Sequence, residues 1–344
     1  MRCETGGVAV GISGGVDSAA AAYILLESGF SPVVGVTVLT ESNVDISDAA
    51  EVCAFLGIEH VTVDYTKQFD EKVISYFVGM YLSGRTPNPC AVCNPLVKFD
   101  ALIATADSLG LEYVATGHYC GVGVVNGVHT VFASKTGDQS YALYGLSQSQ
   151  LSRALTPLFG MDKAEVRTLA GRVGLPVADK PDSQDVCFIR DGDYAKFIAE
   201  RATLPGPGDF VDETGAVIGR HKGVVHYTIG QRKGLGEAFN RHMYVKKIDP
   251  AKNEVTLCDG ESLYSTTLRA ENVNFMAMNG VNACAGFRAM AKIRYNQKPA
   301  PCTAFFDGER LTCGFDEPVR AVAPGQPCVL YDEAGYILCG GVIA

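Results

Sequence analysis

Residues 8–18, Val8-Ala9-Val10-Gly11-Ile12-Ser13-Gly14-Gly15-Val16-Asp17-Ser18, constrain this chain more than any other stretch. A short β-branched run enters a glycine-rich turn, and an alanine-rich helical run, Ala19 to Leu26, follows at once. Strand, tight loop and helix in that order present backbone N–H groups and a helix N-terminus to phosphate. Gly11, Gly14 and Gly15 let the backbone approach an anion with no Cβ in the way, and Ser13 and Ser18 add hydroxyl donors. No Lys-Ser/Thr pair closes the stretch, so it is not a Walker A loop. Its glycines do not fall at G-x-G-x-x-G, so it is not the dinucleotide fingerprint.

The next segments alternate strand and helix signals. Val33–Leu39 reads as a buried strand, Ser47–Leu56 as a helix and Ile58–Val63 as a strand. Helical patterns continue at Phe69–Leu82 and Phe99–Leu109, and Tyr113 to His118 reads as another buried strand. This alternation predicts an α/β fold, a doubly wound and mostly parallel sheet with helices on both faces. Ligands of such sheets lie beyond the carboxyl ends of the strands, which places His118 at the same crevice as the glycine loop. Lys163–Val173 reads as a helix stopped by Gly174 and Pro176. A boundary falls at Leu204-Pro205-Gly206-Pro207-Gly208. Beyond it, short β-runs punctuated by Asp259-Gly260, Asn279-Gly280 and Asp307-Gly308 predict one or two small β-rich modules, divided near 268–274.

The 344 residues predict two or three domains, and a hydrophobic share of 47% is enough for real cores. No apolar run approaches the twenty residues of a membrane-spanning helix, and Met1–Gly7 lacks the apolar region of a signal peptide. A cytoplasmic protein is expected. Its twelve cysteines should then be reduced thiols, mostly small buried apolar residues. Cys53, Cys258, Cys284, Cys302, Cys313, Cys328 and Cys339 fit that default. The net charge of −9 argues against indiscriminate nucleic-acid binding. Its distribution is uneven: residues 1–150 carry 6 Lys/Arg against 15 Asp/Glu, and the remainder carries 23 against 23. Within 220–247 stand Arg220, Lys222, Arg232, Lys233, Arg241, Lys246 and Lys247 against Glu237 alone, either a polyanion footprint or a solvated charged face.

Three cysteines depart from the default. Two prolines stiffen the approach to Cys90-Ala91-Val92-Cys93, in Arg85-Thr86-Pro87-Asn88-Pro89-Cys90, and Cys187 stands in a polar frame, Asp182-Ser183-Gln184-Asp185-Val186-Cys187. Cys93 and Cys187 suit a nucleophile with a resolving or sulfur-carrying partner. Cys90-x-x-Cys93 is also a metal half-site. Zinc would want four ligands, whereas three thiolates, Cys90, Cys93 and Cys187, suit a 4Fe–4S cluster with one open iron, Cys120 being a conceivable fourth ligand.

Ser13–Ser18 resembles the loop of the PP-loop ATP-pyrophosphatases, which activate an oxygen by adenylation. Further motifs extend the resemblance in order along nearly the whole chain. They include Arg85–Pro89, Cys93-Asn94 with Lys98-Phe99, Thr116-Gly117-His118-Tyr119 and Asp138-Gln139-Ser140-Tyr141. Asp182–Ile189, Tyr227–Gly236, Ala291–Tyr295, Phe315–Pro318 and Ala323-Pro324-Gly325-Gln326 complete them. Together they resemble the tRNA-specific 2-thiouridylases of the PP-loop family. The resemblance implies domains at 1–203 (PP-loop, ATP-binding), 204–270 (small, β-rich, tRNA-binding) and 271–344 (β-barrel). It implies ATP on Gly11, Ile12, Ser13, Gly14, Gly15, Val16, Asp17, Ser18, Val36, Leu39, Gly117 and His118, with Mg²⁺ orienting the phosphates. It implies tRNA on Asn88, Lys98, Asp138, Gln139, Ser140, Arg232, Lys233, Lys292, Arg294 and Tyr295. In the implied reaction the wobble uridine's 2-oxygen attacks the α-phosphate. Sulfur from a cysteine desulfurase or relay protein arrives as a persulfide on Cys187, and Cys93 closes a disulfide with Cys187. A monomer is expected when tRNA is absent.

The chain departs from that pattern. Cys90 stands where the family commonly has an acidic residue, which instead resembles the three-cysteine arrangement of iron–sulfur-dependent tRNA-thiolating relatives. The segment between Leu39 and Asp48 is short, Thr136-Gly137 precede Asp138 where a lysine is usual, and Cys120-Gly121 follow Tyr119. Two other readings compete: a PP-loop ligase or amidase acting on a small substrate, and a non-catalytic sulfur or iron–sulfur carrier that binds tRNA. Neither accounts for both the glycine loop and the paired cysteine blocks.

Overall fold

Val8, Ala9 and Val10 have no exposed surface. They form strand β1 (Val8–Gly11), with β2 (Val33–Leu39) parallel on one side and β4 (Tyr113–Ala115) parallel on the other. Strands β3 (Glu59–Asp64) and β7 (Ala154–Leu155) complete a parallel sheet of order β3-β2-β1-β4-β7. A strand covered on both faces must be apolar throughout, which is why β1 and β2 read as unbroken Val-rich runs. Val8 and Val10 pack with the helices Val16–Glu27, Ser47–Leu56 and Lys163–Val173. On the other face, Gly11 lies against Leu102 of the helix Phe99–Leu109. The chain leaves β1 in one direction to β2 and returns on its other side at β4. The β1/β4 boundary is therefore the switch point, where the loops after neighbouring strands diverge and leave a crevice. The hairpin of β5 (Cys120–Val125) and β6 (Val128–Ala133) follows β4.

This computed structural model describes residues 6–42, 44–181, 186–189, 191–236, 239 and 241–344. Residues 1–5, the Asp182-Ser183-Gln184-Asp185 part of the Cys187 motif, and Glu237 lie outside the described residues. The chain divides into two compact units. One comprises Met1–Val73, Cys90–Gln184 and Ala334–Leu338; the other comprises Ile74–Pro89, Asp185–Glu333 and Cys339–Ala344. The second unit contains two β modules. Strands β8 (Gly208–Val211), β9 (Val217–His221), β10 (Tyr244–Asp249) and β11 (Glu254–Cys258) form a sheet of order β10-β11-β8-β9. Strands β12 (Tyr264–Phe275), β13 (Phe287–Lys292), β14 (Ala300–Phe306), β15 (Leu311–Arg320), β16 (Pro327–Tyr331) and β17 (Ile337–Ile343) close a barrel in the order β12-β15-β14-β13-β16-β17. Among the described residues no helix is long and apolar enough to cross a membrane.

Helices with explicit end signals run as expected. The Lys163–Val173 helix opens on a capping box, where Asp162 accepts from the Glu165 N–H (2.9 Å) and Glu165 accepts from the Asp162 N–H (2.7 Å). It ends at Gly174 in the left-handed region. The expected helix Phe69–Leu82 is interrupted. It runs as Thr66–Phe69, a π turn over Asp70–Ile74, and Ser75–Leu82. Phe69, Val73, Phe77 and Tyr81 are all buried at a spacing of four. A 3.6-residue turn drifts off that spacing, and the wider turn restores it. Strand β4 stops at Ala115, short of the expected His118, because Gly117 turns against the start of the Val16–Glu27 helix.

Of the cysteines assigned to the core, Cys53, Cys258, Cys302, Cys313, Cys328 and Cys339 are buried. Cys284 is the exception. It is exposed just after the short helix Gly280–Ala283, its Sγ bonded to the Gly280 carbonyl. Cys120 is fully buried in β5, and burial pushes its thiol pKa up, so it packs as a core residue.

Gly117 carries a tight constraint on the sheet's ligand edge. A Cβ there would lie 2.8 Å from the Asp17 carbonyl carbon and 2.9 Å from the Ser18 nitrogen. Gly117→Ala is expected to lower stability by about 1–3 kcal/mol in urea unfolding. Gly171→Ala, in a helix interior with open space at its Cβ, is expected to be neutral or stabilising. Equal responses of the two variants would refute the close approach.

Candidate active site

The glycine loop is a prepared anion cradle. The helix Val16–Glu27 starts at Gly15, which has no side chain to cap it, so its first N–H groups face the loop without a capping partner. Ser18 holds the turn: its Oγ accepts from the Ser13 N–H (3.2 Å) and donates to the Gly15 carbonyl (2.9 Å). The Ser13 and Ser18 hydroxyls are 3.3 Å apart. Gly14 has φ +71° and sits against Asp48, a place for glycine on both counts.

Two lysines that motif reading does not single out converge on this loop. Lys163, the first residue of its helix, donates to both carboxylate oxygens of Asp17 at 2.7 and 2.8 Å. The Tyr119 hydroxyl donates to the same carboxylate at 2.6 Å. Lys180 donates to the Gly14 carbonyl (2.9 Å) and to Asp48. Both ion pairs are partly solvent-accessible, so they are exchangeable contacts rather than buried structural pairs. No spacing in the sequence links position 17 to 163 or 14 to 180. The capping box at Asp162 and Glu165 puts Lys163 at a helix start but does not name its partner.

The other expected nucleotide residues gather at the same strand ends. Gly11 pairs with Val36, and the Ile12 N–H donates to the Val36 carbonyl (2.9 Å). Leu39 closes the exit of β2. His118 lies over Phe99 at 6.5 Å between ring centres, with Nδ1 2.8 Å from the Thr116 hydroxyl. Burial, with Lys98 nearby, lowers its pKa well below the ordinary histidine value. His118 is therefore neutral at pH 7 and serves as a packed polar ring.

Asp138, Gln139 and Ser140, expected at tRNA, form a hydrogen-bonded turn. Ser140 is fully buried. Asp138 accepts from the Ser134 and Ser140 N–H groups and the Ser140 hydroxyl, and Gln139 exchanges bonds with the Tyr119 backbone. This turn braces Tyr119, and through it Asp17.

The chemistry-bearing cysteines are accessible. Cys90 is exposed and Cys93 half-buried on the short helix Pro89–Cys93. Asn94, buried, anchors the end of that helix through a bond to the Ala142 carbonyl (3.0 Å). Lys98 ends the π turn that follows, and Asn88 lies in the proline-flanked approach. In the second unit, Cys187 is exposed on a turn closed by the Ile189 N–H and the Val186 carbonyl (2.9 Å). Phe188 anchors that turn, 5.2 Å from Phe77 and 5.1 Å from Phe197 between ring centres. Among the described residues no group of three His, Cys, Asp or Glu is arranged to hold a metal ion.

The basic run 220–247 is partly neutralised. Arg220 pairs with Asp209 (2.7 Å), Lys246 with Glu213, and Lys247 with Asp249 (3.6 Å). Arg232 and Lys233 are exposed. Arg232, Arg241 and His242 line an open cleft of about 550 Å³ with Leu235, Phe239 and Met243. On the barrel, Tyr295 is exposed, whereas Lys292 is buried, with Nζ 5.7 Å from the Tyr295 ring centre. Arg294 donates to the Ile229 and Ala321 carbonyls (2.7 and 3.0 Å). Lys292 thus packs and Arg294 braces within the second unit.

Three family models match in succession: the tRNA methyl transferase HUP domain at residues 6–191, the tRNA methyl transferase PRC-barrel domain at 195–259, and the aminomethyltransferase beta-barrel domain at 265–343. The tRNA-specific 2-thiouridylase MnmA of Acetivibrio thermocellus is 42% identical over 357 residues, covering 98% of each chain. That of Clostridioides difficile is 40% identical over 355 residues, covering 98% of this chain and 97% of its own. This chain belongs to the tRNA-specific 2-thiouridylase family. Among solved structures, the U34-tRNA thiolase NcsA from Methanococcus maripaludis matches at 20% identity and a TM-score of 0.35, over 57% of this chain and 64% of its own, too distant to carry an argument.

His60, His118, His221 and His226 all have pKa values lowered from 6.5, each chiefly by burial. The unfolded chain binds more protons than the folded one once pH drops below about 6.5, so stability falls with acidification there. Thermal unfolding between pH 7.5 and 5 is expected to show that slope, and His118→Gln to reduce it. A slope unchanged in the variant would contradict the buried, neutral His118.

Proposed function

We propose that this protein is an ATP-dependent tRNA-uridine 2-sulfurtransferase acting on the wobble uridine of tRNA anticodons. The observation that carries this reading is the Ser13–Ser18 cradle with Lys163 and Lys180 on it, in a chain with accessible Cys93 and Cys187. The cradle serves phosphate, and the thiols serve sulfur. A uracil 2-oxygen is a poor leaving group until it is phosphorylated. It attacks the α-phosphate of ATP, the bond to the β-phosphate breaks, and pyrophosphate departs. The cradle N–H groups, with Lys163 and Lys180 in reach, hold the phosphates and stabilise the developing charge. Mg²⁺, when bound with the nucleotide, would supply further neutralisation of the phosphate oxygens.

The terminal sulfur of a persulfide on Cys187 then attacks C2, and AMP leaves with the former 2-oxygen. The Cys93 thiolate attacks Cys187 Sγ, the S–S bond breaks, and its electron pair stays with the sulfur now on the base. The resulting disulfide requires an external thiol to reset it. An exposed turn at Cys187 suits loading by a sulfur-relay protein. A 4Fe–4S cluster on Cys90, Cys93 and Cys187 is the alternative route of sulfur delivery, and no step here runs through it. The domain division 1–203, 204–270 and 271–344 is part of the same proposal. So are a cytoplasmic, monomeric protein and tRNA held by Asn88, Lys98, Arg232, Lys233 and Tyr295.

Purified protein with ATP, unmodified tRNA and a persulfide donor is expected to yield 2-thiouridine, measured by mass spectrometry of tRNA nucleosides, with pyrophosphate in step. Cys187→Ser is expected to abolish thiolation while leaving pyrophosphate release. Pyrophosphate release with a small acceptor but not tRNA would point to a ligase, and none at all to a carrier.

Arg232→Glu with Lys233→Glu is expected to weaken tRNA binding and to reduce the slope of log affinity against log salt by about 1–2. An unchanged slope would remove both residues from the tRNA surface.

A further inference from the structure

The motif Ala323-Pro324-Gly325-Gln326 has no part in the chemistry above, yet it grips the segment that enters the Cys90/Cys93 helix. In Thr86-Pro87-Asn88-Pro89 the two prolines offer no N–H, so the segment has few ways to anchor itself locally. Its carbonyls are met from elsewhere. The Gln326 side-chain nitrogen donates to the Thr86 carbonyl (3.0 Å) and the Pro87 carbonyl (3.2 Å). Two carbonyl partners require the amide's nitrogen end at this position. The Thr86 N–H donates back to the Pro324 carbonyl (2.8 Å). Gly325, at φ +94°, comes so close that a Cβ would lie 2.9 Å from the Thr86 oxygen and 2.9 Å from Met80 Cε.

The gripping side is itself fixed. The Gly325 N–H donates to the Ile343 carbonyl (2.8 Å), and the Ile343 N–H donates to the Gln326 carbonyl (2.9 Å), tying the motif to the end of β17. The gripped side is also held from the neighbouring sheet. Gly84, at φ +71°, packs where a Cβ would meet Pro250 and Ile248. The segment 84–87 is therefore seated between the two β modules, and two residues later the chain begins the Pro89–Cys93 helix.

We propose that Gln326 is a positioning residue for thiolation: it fixes the Thr86–Pro87 backbone and so sets the placement of Asn88 and of Pro89, the residue from which the Cys90/Cys93 segment starts. This rests on the sulfurtransferase reading for its kinetic consequence but not for its geometry. Gln326→Glu keeps the volume and turns the donor into an acceptor facing two carbonyls. Gln326→Ala simply removes the donor, and it carries the same comparison should Gln326→Glu not fold.

For each variant, kcat and KM for ATP in thiolation are measured beside unfolding temperature. Iodoacetamide labelling rates of Cys90, Cys93 and Cys187 are mapped by mass spectrometry. The expected result is a fall in kcat of about 10-fold or more with KM for ATP within about two-fold, since small misplacements of a reacting group are costly. Cys90 and Cys93 labelling should change by at least about three-fold, with Cys187 unchanged. Wild-type kcat and labelling in both variants would overturn the proposal. So would a parallel change at all three cysteines with a large drop in unfolding temperature, the signature of general loosening. If the wild-type protein makes no 2-thiouridine, the functional reading fails, and the labelling comparison alone still decides whether Gln326 fixes the Thr86–Pro89 approach.

Discussion

The close approach of Gly117 to the backbone of Asp17 and Ser18 is the contact on which the rest of the site depends. It joins the loops leaving β1 and β4, the strands on either side of the switch point. The glycine lets the second loop lie against the first turn of the Val16–Glu27 helix. Once it does, Tyr119, two residues on, reaches the Asp17 carboxylate, and the Asp138–Ser140 turn holds Tyr119 from behind. Asp17 is then oriented from one side by a phenol and from another by Lys163. A larger residue at 117 would separate the two loops, and the tyrosine, the carboxylate and the lysine would lose their common meeting point together.

Local chemistry explains which parts of this were legible in the sequence. Val33–Leu39, Ser47–Leu56, Phe99–Leu109 and Lys163–Val173 run as read, because caps, glycines and apolar periodicity are written within each segment. The π turn at Asp70–Ile74 was not legible, since a four-residue apolar spacing looks helical until the turn is asked to keep it in register. Charge was read least well. Arg220, Lys246 and Lys247 look like a polyanion surface in a one-dimensional count, but Asp209, Glu213 and Asp249 lie beside them in the folded sheet. Ser140 and Lys292 are polar and yet buried, the Ser140 hydroxyl bonded to Asp138 and Lys292 Nζ lying near the Tyr295 ring. Cys284 erred the other way, exposed because it follows a helix too short to cover it.

The motif positions also divided by kind. Those that build a surface from consecutive backbone groups, as Ser13–Ser18 do, announce themselves in order along the chain. Those that act by reaching across it do not. Gln326 meets Thr86 and Pro87 from about 240 residues away, and the reason lies in the prolines rather than in Gln326: a segment without its own donors leaves carbonyls that another element must satisfy.

The same logic resolves the acidic character of the first half. Residues 1–150 carry a net charge of −9, an unfavourable setting for a polyphosphate. The cradle answers this first with backbone N–H groups, whose partial charges do not appear in a residue count. The full charges come from later in the chain. Lys163 and Lys180 reach Asp17, Asp48 and the Gly14 carbonyl, so that two acids of the loop region are already paired with cations at the place where phosphate would arrive. Because both pairs are partly exposed, an incoming anion can share those lysines without breaking a buried ion pair, whose loss would be far more costly. An acidic domain can therefore hold a nucleotide: the balance that matters is struck within one loop, not over the half-chain.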